Sequence, residues 1–306
     1  MRAGDVAPAG LEERLRAVVR DVRRDEPMAR HVQFRIGGPA DVLVIPRNLD
    51  ELRAAVELLY ASGVTPLVLG QGSNVLIGDR GIRGIVVKLG KGCDRVRVEG
   101  TTVIADAGAG LPALALQTAK LGLSGLEFAA GIPGSFGGAV VMNAGAHGHA
   151  MDEIVTAVDV LTADGARRLD RDALGFAYRT SVLQHQPWVV ATVTVVLRAE
   201  PPERVRARLE AWLAHRGATQ PIGPPSSGCV FRNPPGDHAG RLIDQTGLKG
   251  LAVGGARVST LHANYIINEG DARAAEVLAL AEQVRQRVRE RTGITLEMEV
   301  KPLGEF

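Results

Sequence analysis

The chain has 306 residues, a length that fits two or three domains better than one core. Hydrophobic residues make up 45% and charged residues 23%, a globular balance, and a net charge of +2 offers no basic field for nucleic acid. The cysteines are Cys93 and Cys229, too few for a disulfide framework and not spaced as metal ligands, so a reducing compartment fits. Met1 to Pro27 is rich in Arg, Asp and Glu and lacks the apolar core of a secretory signal. No run has the apolar length of a transmembrane helix. The expectation is a soluble, cytoplasmic, monomeric protein with no metal, nucleic-acid or membrane partner.

Leu11 to Arg24 carries Leu11, Leu15, Val18, Val19 and Val22 at helical spacing. Strands are expected at Ala40–Ile45 and Pro66–Leu69, with a helix between them on Leu52, Ala55, Val56 and Leu59 that Gly63 ends. Ile82–Leu89 is a further strand. Two short runs in Val96–Ala105 flank a turn at Glu99-Gly100, and Leu111–Leu121 is a helix. Gly122 to Gly148 is dense in glycine and has little periodicity. Strands resume at Val155–Leu161 and Trp188–Leu197, and Glu200-Pro201-Pro202 marks a domain boundary. Beyond it come a helix over Val205–His215, a Pro/Gly-rich loop over Gln220–Gly236 and strand-like sequence over Leu251–Asn268. Asp271 is placed to cap a long helix with Val277, Leu280, Ala281, Val284 and Val288 inward. In the last strand, Ile294–Val300, Thr295, Glu297 and Glu299 share the polar face.

Three glycine-rich segments can cradle an anion. Gly70-Gln71-Gly72-Ser73-Asn74 follows a strand; its glycines allow backbone N–H groups to converge, and Ser73 and Asn74 add donors. Taken alone, such a loop is more often a plain turn. Ala107-Gly108-Ala109-Gly110 precedes a helix N-terminus. The third runs from Gly125-Leu126-Glu127-Phe128 through Gly131-Ile132-Pro133-Gly134-Ser135-Phe136-Gly137-Gly138-Ala139 to Met142-Asn143-Ala144-Gly145-Ala146. A structural turn needs one or two glycines, not this density. Three cradles suit an extended dinucleotide such as FAD.

These motifs, in this order, resemble the UDP-N-acetylenolpyruvoylglucosamine reductase family over roughly residues 27 to 304. The resemblance implies an α+β chain: a two-part FAD-binding fold of the vanillyl-alcohol oxidase type plus a C-terminal α+β substrate domain. The expected division is a helical segment over 1–26, FAD-binding subdomains over 27–89 and 90–200, a substrate domain over 201–300, and a tail, 301–306, that returns to the first subdomain. FAD is held without a covalent link by Gly70, Gln71, Gly72, Ser73, Asn74, Ala107, Gly108, Gly131, Ile132, Pro133, Gly134, Ser135, Gly138, Ala139, Asn143 and Gly145. NADPH is the hydride donor, and the substrate is a UDP-sugar carrying an enolpyruvyl group, which is reduced to UDP-N-acetylmuramate for peptidoglycan synthesis.

The resemblance also assigns catalytic roles. Arg179, in Ala177-Tyr178-Arg179-Thr180-Ser181, lies over the enolpyruvate; a guanidinium stays charged and stabilises developing negative charge. Cys229, in Ser226-Ser227-Gly228-Cys229-Val230-Phe231-Arg232-Asn233, matches a position that is Ser in many members and protonates the substrate carbon. A thiol of ordinary pKa, roughly 8.5, is a neutral acid at pH 7. Strand periodicity does not separate Glu297 from Glu299; the family match selects Glu299. Asn233 matches a family position near the diphosphate and His262 a family polar position; Arg241 offers a cation in the same neighbourhood, and Tyr178 is expected to pack or orient at the substrate. Only 49 residues separate Arg179 from Cys229, which matches the shorter subclass without an inserted Tyr loop over the substrate.

Overall fold

The helical spacing over Leu11–Arg24 meets a strand half-way. The computed structural model describes residue 8 and residues 10–306, so 1–7 and 9 of the expected N-terminal segment lie outside the described residues. Helix α1 (Leu11–Val18) buries Leu11 and Leu15. The chain then enters strand β1 (Asp21–Pro27), antiparallel to β2 (Pro39–Ile45). Val22 is buried, as its spacing required, but from a strand. Pairing with β2 overrides the local helical signal.

Helix α2 (Leu49–Ala61) is capped by Asn48, whose Oδ1 accepts the Glu51 N–H at 2.8 Å. It crosses over to β3 (Leu67–Leu69). Strand β4 (Val75–Ile77) stands outside this sheet, and β5 (Ile82–Lys88) inserts between β2 and β3, parallel to both. The order is β1-β2-β5-β3.

The hairpin β6 (Val96–Glu99) and β7 (Thr102–Asp106) edges a second, antiparallel sheet. Helix α3 (Leu111–Lys120) follows, then β8 (Leu123–Ser124) and the short helix α4 (Phe136–Val141), which periodicity did not reveal because it is built from Gly, Ala, Val and Phe. A small hairpin, β9 (Gly145–Ala146) and β10 (His149–Ala150), leads into β11 (Val155–Thr162), β12 (Gly165–Asp170) and β13 (Val189–Val196). The second sheet runs β12-β11-β13-β7-β6, and β14 (Arg198–Ala199) pairs with β8.

Helix α5 (Pro202–Thr219) starts at the expected boundary, yet packs backward. Its Val205 and Leu209 join the core that gathers buried residues from Leu11 to Leu209. Arg208 reaches the buried Glu127 at 2.8 Å and Glu200 at 2.9 Å, tying α5 to the glycine block. The packing changes hands after α5. A second core collects Val230 to Val300 together with Phe34, Ile36 and Leu76.

That second core lies between a sheet and α7 (Ala274–Thr292). The sheet holds β15 (Ser226–Cys229), β16 (Ala252–Val253), β17 (Ala256–Val258) and β18 (Tyr265–Asn268) in the order β15-β18-β17-β16, and α6 (Ala239–Gln245) packs against α7. Helix α7 buries the predicted stripe, at roughly 1.5–3 kcal/mol for each fully buried Val or Leu. Its cap is not Asp271. Asp79, from the loop between β4 and β5, accepts the Ala274 and Ala275 N–H groups at 2.7 and 3.1 Å. The expected strand over Ile294–Val300 is an extended segment with one bridge, Met298 to Phe231. The tail forms β19 (Lys301–Leu303), parallel to β4.

Because Asp79 supplies two caps across a domain contact, Asp79→Ala should lower unfolding free energy by about 1 kcal/mol. Urea unfolding of the flavin-loaded protein checks this; an unchanged midpoint would remove Asp79 from the cap.

Candidate active site

Close approach, not loop flexibility, explains the glycines. A Cβ on Gly70 would lie 2.1 Å from Ser135 Oγ, and one on Gly134 would lie 2.7 Å from Ser73 Oγ. The first and third glycine segments therefore pass against each other. The second joins them: Leu111 N donates to Gly134 O at 3.0 Å, Phe136 N to Ala109 O at 2.8 Å and Gly137 N to Ala107 O at 2.9 Å. Gly108 is pressed on Cys93, where a Cβ would sit 2.5 Å from the carbonyl oxygen. Convergent small residues with the buried Ser135 hydroxyl fit a dinucleotide laid along their backbone. Ile132, Pro133 and Gly131 line one edge, and Ala139 is buried in α4.

Two of the predicted cofactor residues have structural duties. Asn143, at φ 42°, spends its side chain on Ala177 O and Asp152 N, at 3.1 and 3.0 Å. Asn74 Nδ2 donates to Glu299 O at 3.3 Å, and Asn74 O accepts Lys301 N at 3.0 Å. Sequence reading missed Lys88, whose ammonium donates to Gly70 O at 3.0 Å and His31 O at 3.3 Å; burial lowers its pKa. A strand-terminal Lys carries no motif, so only the fold reveals it.

Tyr178 and Arg179 form the tip of a two-residue turn closed by reciprocal Ala177–Thr180 backbone bonds of 3.1 Å. Arg179 has φ 57°, a left-handed conformation that costs an L-residue about 1–2 kcal/mol. The turn is held from the glycine block: Asn143 binds Ala177 O, and Gln184 Nε2 bridges Arg179 O and Val141 O at 3.0 and 3.1 Å. The guanidinium donates from Nη2 to Gly145 O at 2.8 Å. Its Nε stands 3.2 Å from Glu299 Oε1.

Glu297 and Glu299 part company despite their spacing. The Glu299 and Val300 N–H groups both point at Val230 O, at 2.8 and 3.4 Å, so the extended segment bulges there. Val300 enters the core and Glu299 enters the cleft, while Glu297 is exposed. Burial pushes the Glu299 carboxyl up, and the charges of Arg179, Arg232 and Lys301 oppose that rise.

Cys229 ends β15 with Tyr265 of β18 directly opposite. Burial, then the Glu299 charge, pushes its thiol up to about 12, against the pull of Arg179 and Arg216. It is therefore neutral at physiological pH. The Ser227 hydroxyl, two residues before, donates to Val75 O at 2.9 Å. Arg216 of α5 lies over Gly131, where a Cβ would meet its Cδ at 2.8 Å. With Gly131, Pro133, Gly228 and Tyr265 it lines a cavity of about 430 Å³ beside Cys229.

The four predicted substrate contacts are not gathered together. Tyr178 and Asn233 line a second cavity of about 510 Å³ with Arg232 and Glu297. Asn233 Oδ1 also accepts the Ala239 N–H at 3.0 Å at the start of α6. Arg241 instead pairs with Asp237 on the protein surface. His262 packs edge-on to Tyr265, ring centroids 4.9 Å apart, and its Nδ1 accepts Asn264 N. Among the described residues no group of His, Cys, Asp and Glu is arranged to hold a metal, and no helix is long and apolar enough to cross a membrane.

Comparison with known proteins assigns this arrangement. The family model for the C-terminal domain of UDP-N-acetylenolpyruvoylglucosamine reductase matches residues 220–303, and an FAD binding domain model matches residues 40–169. A UDP-N-acetylenolpyruvoylglucosamine reductase of Halalkalibacterium halodurans is 44% identical over 96% of this chain and 99% of its own length. The chain belongs to the UDP-N-acetylenolpyruvoylglucosamine reductase family. The Bacillus subtilis relative of the same name is 43% identical over 96% of this chain and 98% of its own. The solved reductase from Thermus caldophilus superposes with a TM-score of 0.79 at 36% identity, covering 92% of this chain and 98% of that one. An alkyldihydroxyacetonephosphate synthase, 16% identical with a TM-score of 0.50, shares the fold alone. The chain is an oxidoreductase of this family, its FAD-binding fold is of the vanillyl-alcohol oxidase type, and its C-terminal part is α+β.

If the glycine segments hold FAD by close approach, Gly70→Ala should weaken flavin retention about ten- to hundredfold, as overpacking costs roughly 1–3 kcal/mol. The flavin-to-protein absorbance ratio after dialysis reads this. Full retention would separate Gly70 from the cradle.

Proposed function

We propose that this chain reduces UDP-N-acetylglucosamine enolpyruvate to UDP-N-acetylmuramate, with NADPH as the donor, in the supply of cytoplasmic peptidoglycan precursors. The observation that carries the reading is one cleft in which Arg179 meets Glu299 at 3.2 Å beside the neutral Cys229 thiol. The names of the relatives support the substrate class.

FAD held along the three glycine segments would supply hydride chemistry for the vinyl carbon, with NADPH as the source of the hydride. The chain's own residues handle the charge and the proton. Arg179 is anchored to Gly145 O, so its guanidinium faces the carboxylate side of the enolpyruvate without needing to reorganise. Glu299 holds that guanidinium in place and keeps the cleft from carrying excess positive charge. Cys229 then gives its Sγ proton to the carbon alpha to the carboxylate. The S–H bond breaks, a C–H bond forms, and sulfur keeps the electron pair until water returns a proton. Asn233 and Tyr178, with Arg232, line the cavity that suits the nucleotide diphosphate.

A sulfur whose pKa is raised is a proton donor, not an activated nucleophile. Cys229→Ala should keep bound flavin and let NADPH bleach it. Reoxidation of the bleached protein by the enolpyruvyl sugar nucleotide should slow by about 100-fold or more. Undiminished reoxidation would refute Cys229 as the acid.

A further inference from the structure

Tyr265 has no part in the assignments above, yet it is the residue that Cys229 faces. The two are paired across β15 and β18, which sets their side chains side by side. Tyr265 is 5% exposed, and its hydroxyl donates to Gln220 Oε1 at 2.8 Å. Gln220 follows the last turn of α5, so this bond also links α5 to the strand that carries the site. A phenol has one hydrogen and two lone pairs. With the hydrogen on Gln220, a lone pair of the phenol stays free on the side of the strand pair where Cys229 lies.

We propose that Tyr265 is the positioning residue for the Cys229 proton: its hydroxyl rests on Gln220 beside the neutral thiol and turns from Gln220 to donate to the sulfur once the proton has left. The inference rests on the reading of Cys229 as the acid. When the Sγ proton passes to carbon, sulfur becomes an anion in a half-closed cleft. A hydrogen bond to a charged group is roughly twice as strong as a neutral one. The bond to sulfur therefore strengthens as the proton departs, which lowers the barrier to its departure. Gln220 Oε1 is the competing acceptor that keeps the hydroxyl from binding sulfur too early. The charged groups facing Cys229 are Glu299, Arg179 and Arg216; those facing Tyr265 are Cys229, Arg216 and Glu299, with the His262 ring edge-on. Of the groups that face Cys229, Tyr265 can donate to the sulfur while staying neutral.

Two substitutions move the sulfur in opposite directions. The readout is the rate of alkylation of Cys229 by iodoacetamide at one mildly alkaline pH in the flavin-loaded protein, where the rate follows the thiolate fraction, with Cys93 buried in the core. Tyr265→Phe removes the donor to the thiolate and should slow alkylation about tenfold, with flavin reoxidation by the enolpyruvyl sugar nucleotide about tenfold slower. Gln220→Leu frees the hydroxyl for sulfur and should speed alkylation. A merely structural Tyr265 would shift both variants the same way or neither, and either result overturns the proposal. If Tyr265→Phe does not fold, the faster alkylation in Gln220→Leu decides it alone. Cys229→Ala reports separately on whether Cys229 is the acid: loss of turnover there, with no opposite shifts here, defeats only the role of Tyr265.

Discussion

The backbone of Asn74 and Val75 is the beam from which the catalytic part hangs. Asn74 closes the first glycine segment, and its carbonyl takes the Lys301 N–H, starting the parallel pairing of β4 with β19. Its side chain holds Glu299 O. One residue on, Val75 O takes the Ser227 hydroxyl. The flavin cradle, the carboxylate and the strand of the thiol thus share two consecutive residues. One backbone and two side-chain hydrogen bonds at these residues set separations at the site, and an error of about 1 Å in such a site can cost 100-fold in rate.

Electrostatics divides the labour within this frame. Arg179 and Glu299 compensate one another, so a charged pair can persist in a half-closed cleft. At Cys229, burial with the nearby carboxylate outweighs the pull of Arg179 and Arg216 and keeps the proton on. Under the proposed role, a donor that meets an anionic substrate is best held neutral until the carbon takes its proton. The left-handed backbone of Arg179 is the local strain that this arrangement carries. It is held by Gln184 and Asn143, residues that bond to backbone on both sides of the turn.

The glycine block was readable because close approach leaves a compositional trace: only glycine survives 2.1 Å from a serine oxygen. The α2 and α7 stripes and the strands β2, β5, β11 and β13 were readable from periodicity. The exchange of helix for strand at Asp21 was not, since β2 supplies the pairing from elsewhere in the chain. Alternation held over Ile294–Val300, with Leu296 and Val300 in the core, but it could not separate Glu297 from Glu299, because what distinguishes them is Arg179, which arrives from elsewhere in the chain. Asp79, Lys88, Arg216 and Tyr265 acquire their duties through contacts far apart in sequence, and no motif surrounds them. The reading of Arg241 as a cation for the diphosphate missed Asp237, four residues earlier, which occupies its guanidinium.

The direct test of the beam is Ser227→Ala, which cuts the bond from the Cys229 strand to Val75 and touches neither flavin segment nor acid. The measurement is single-turnover reoxidation of the NADPH-reduced, flavin-saturated protein by the enolpyruvyl sugar nucleotide. The account predicts unchanged flavin content and reduction by NADPH, with reoxidation slowed about tenfold as the thiol loses its registration. Reoxidation at the wild-type rate would contradict it.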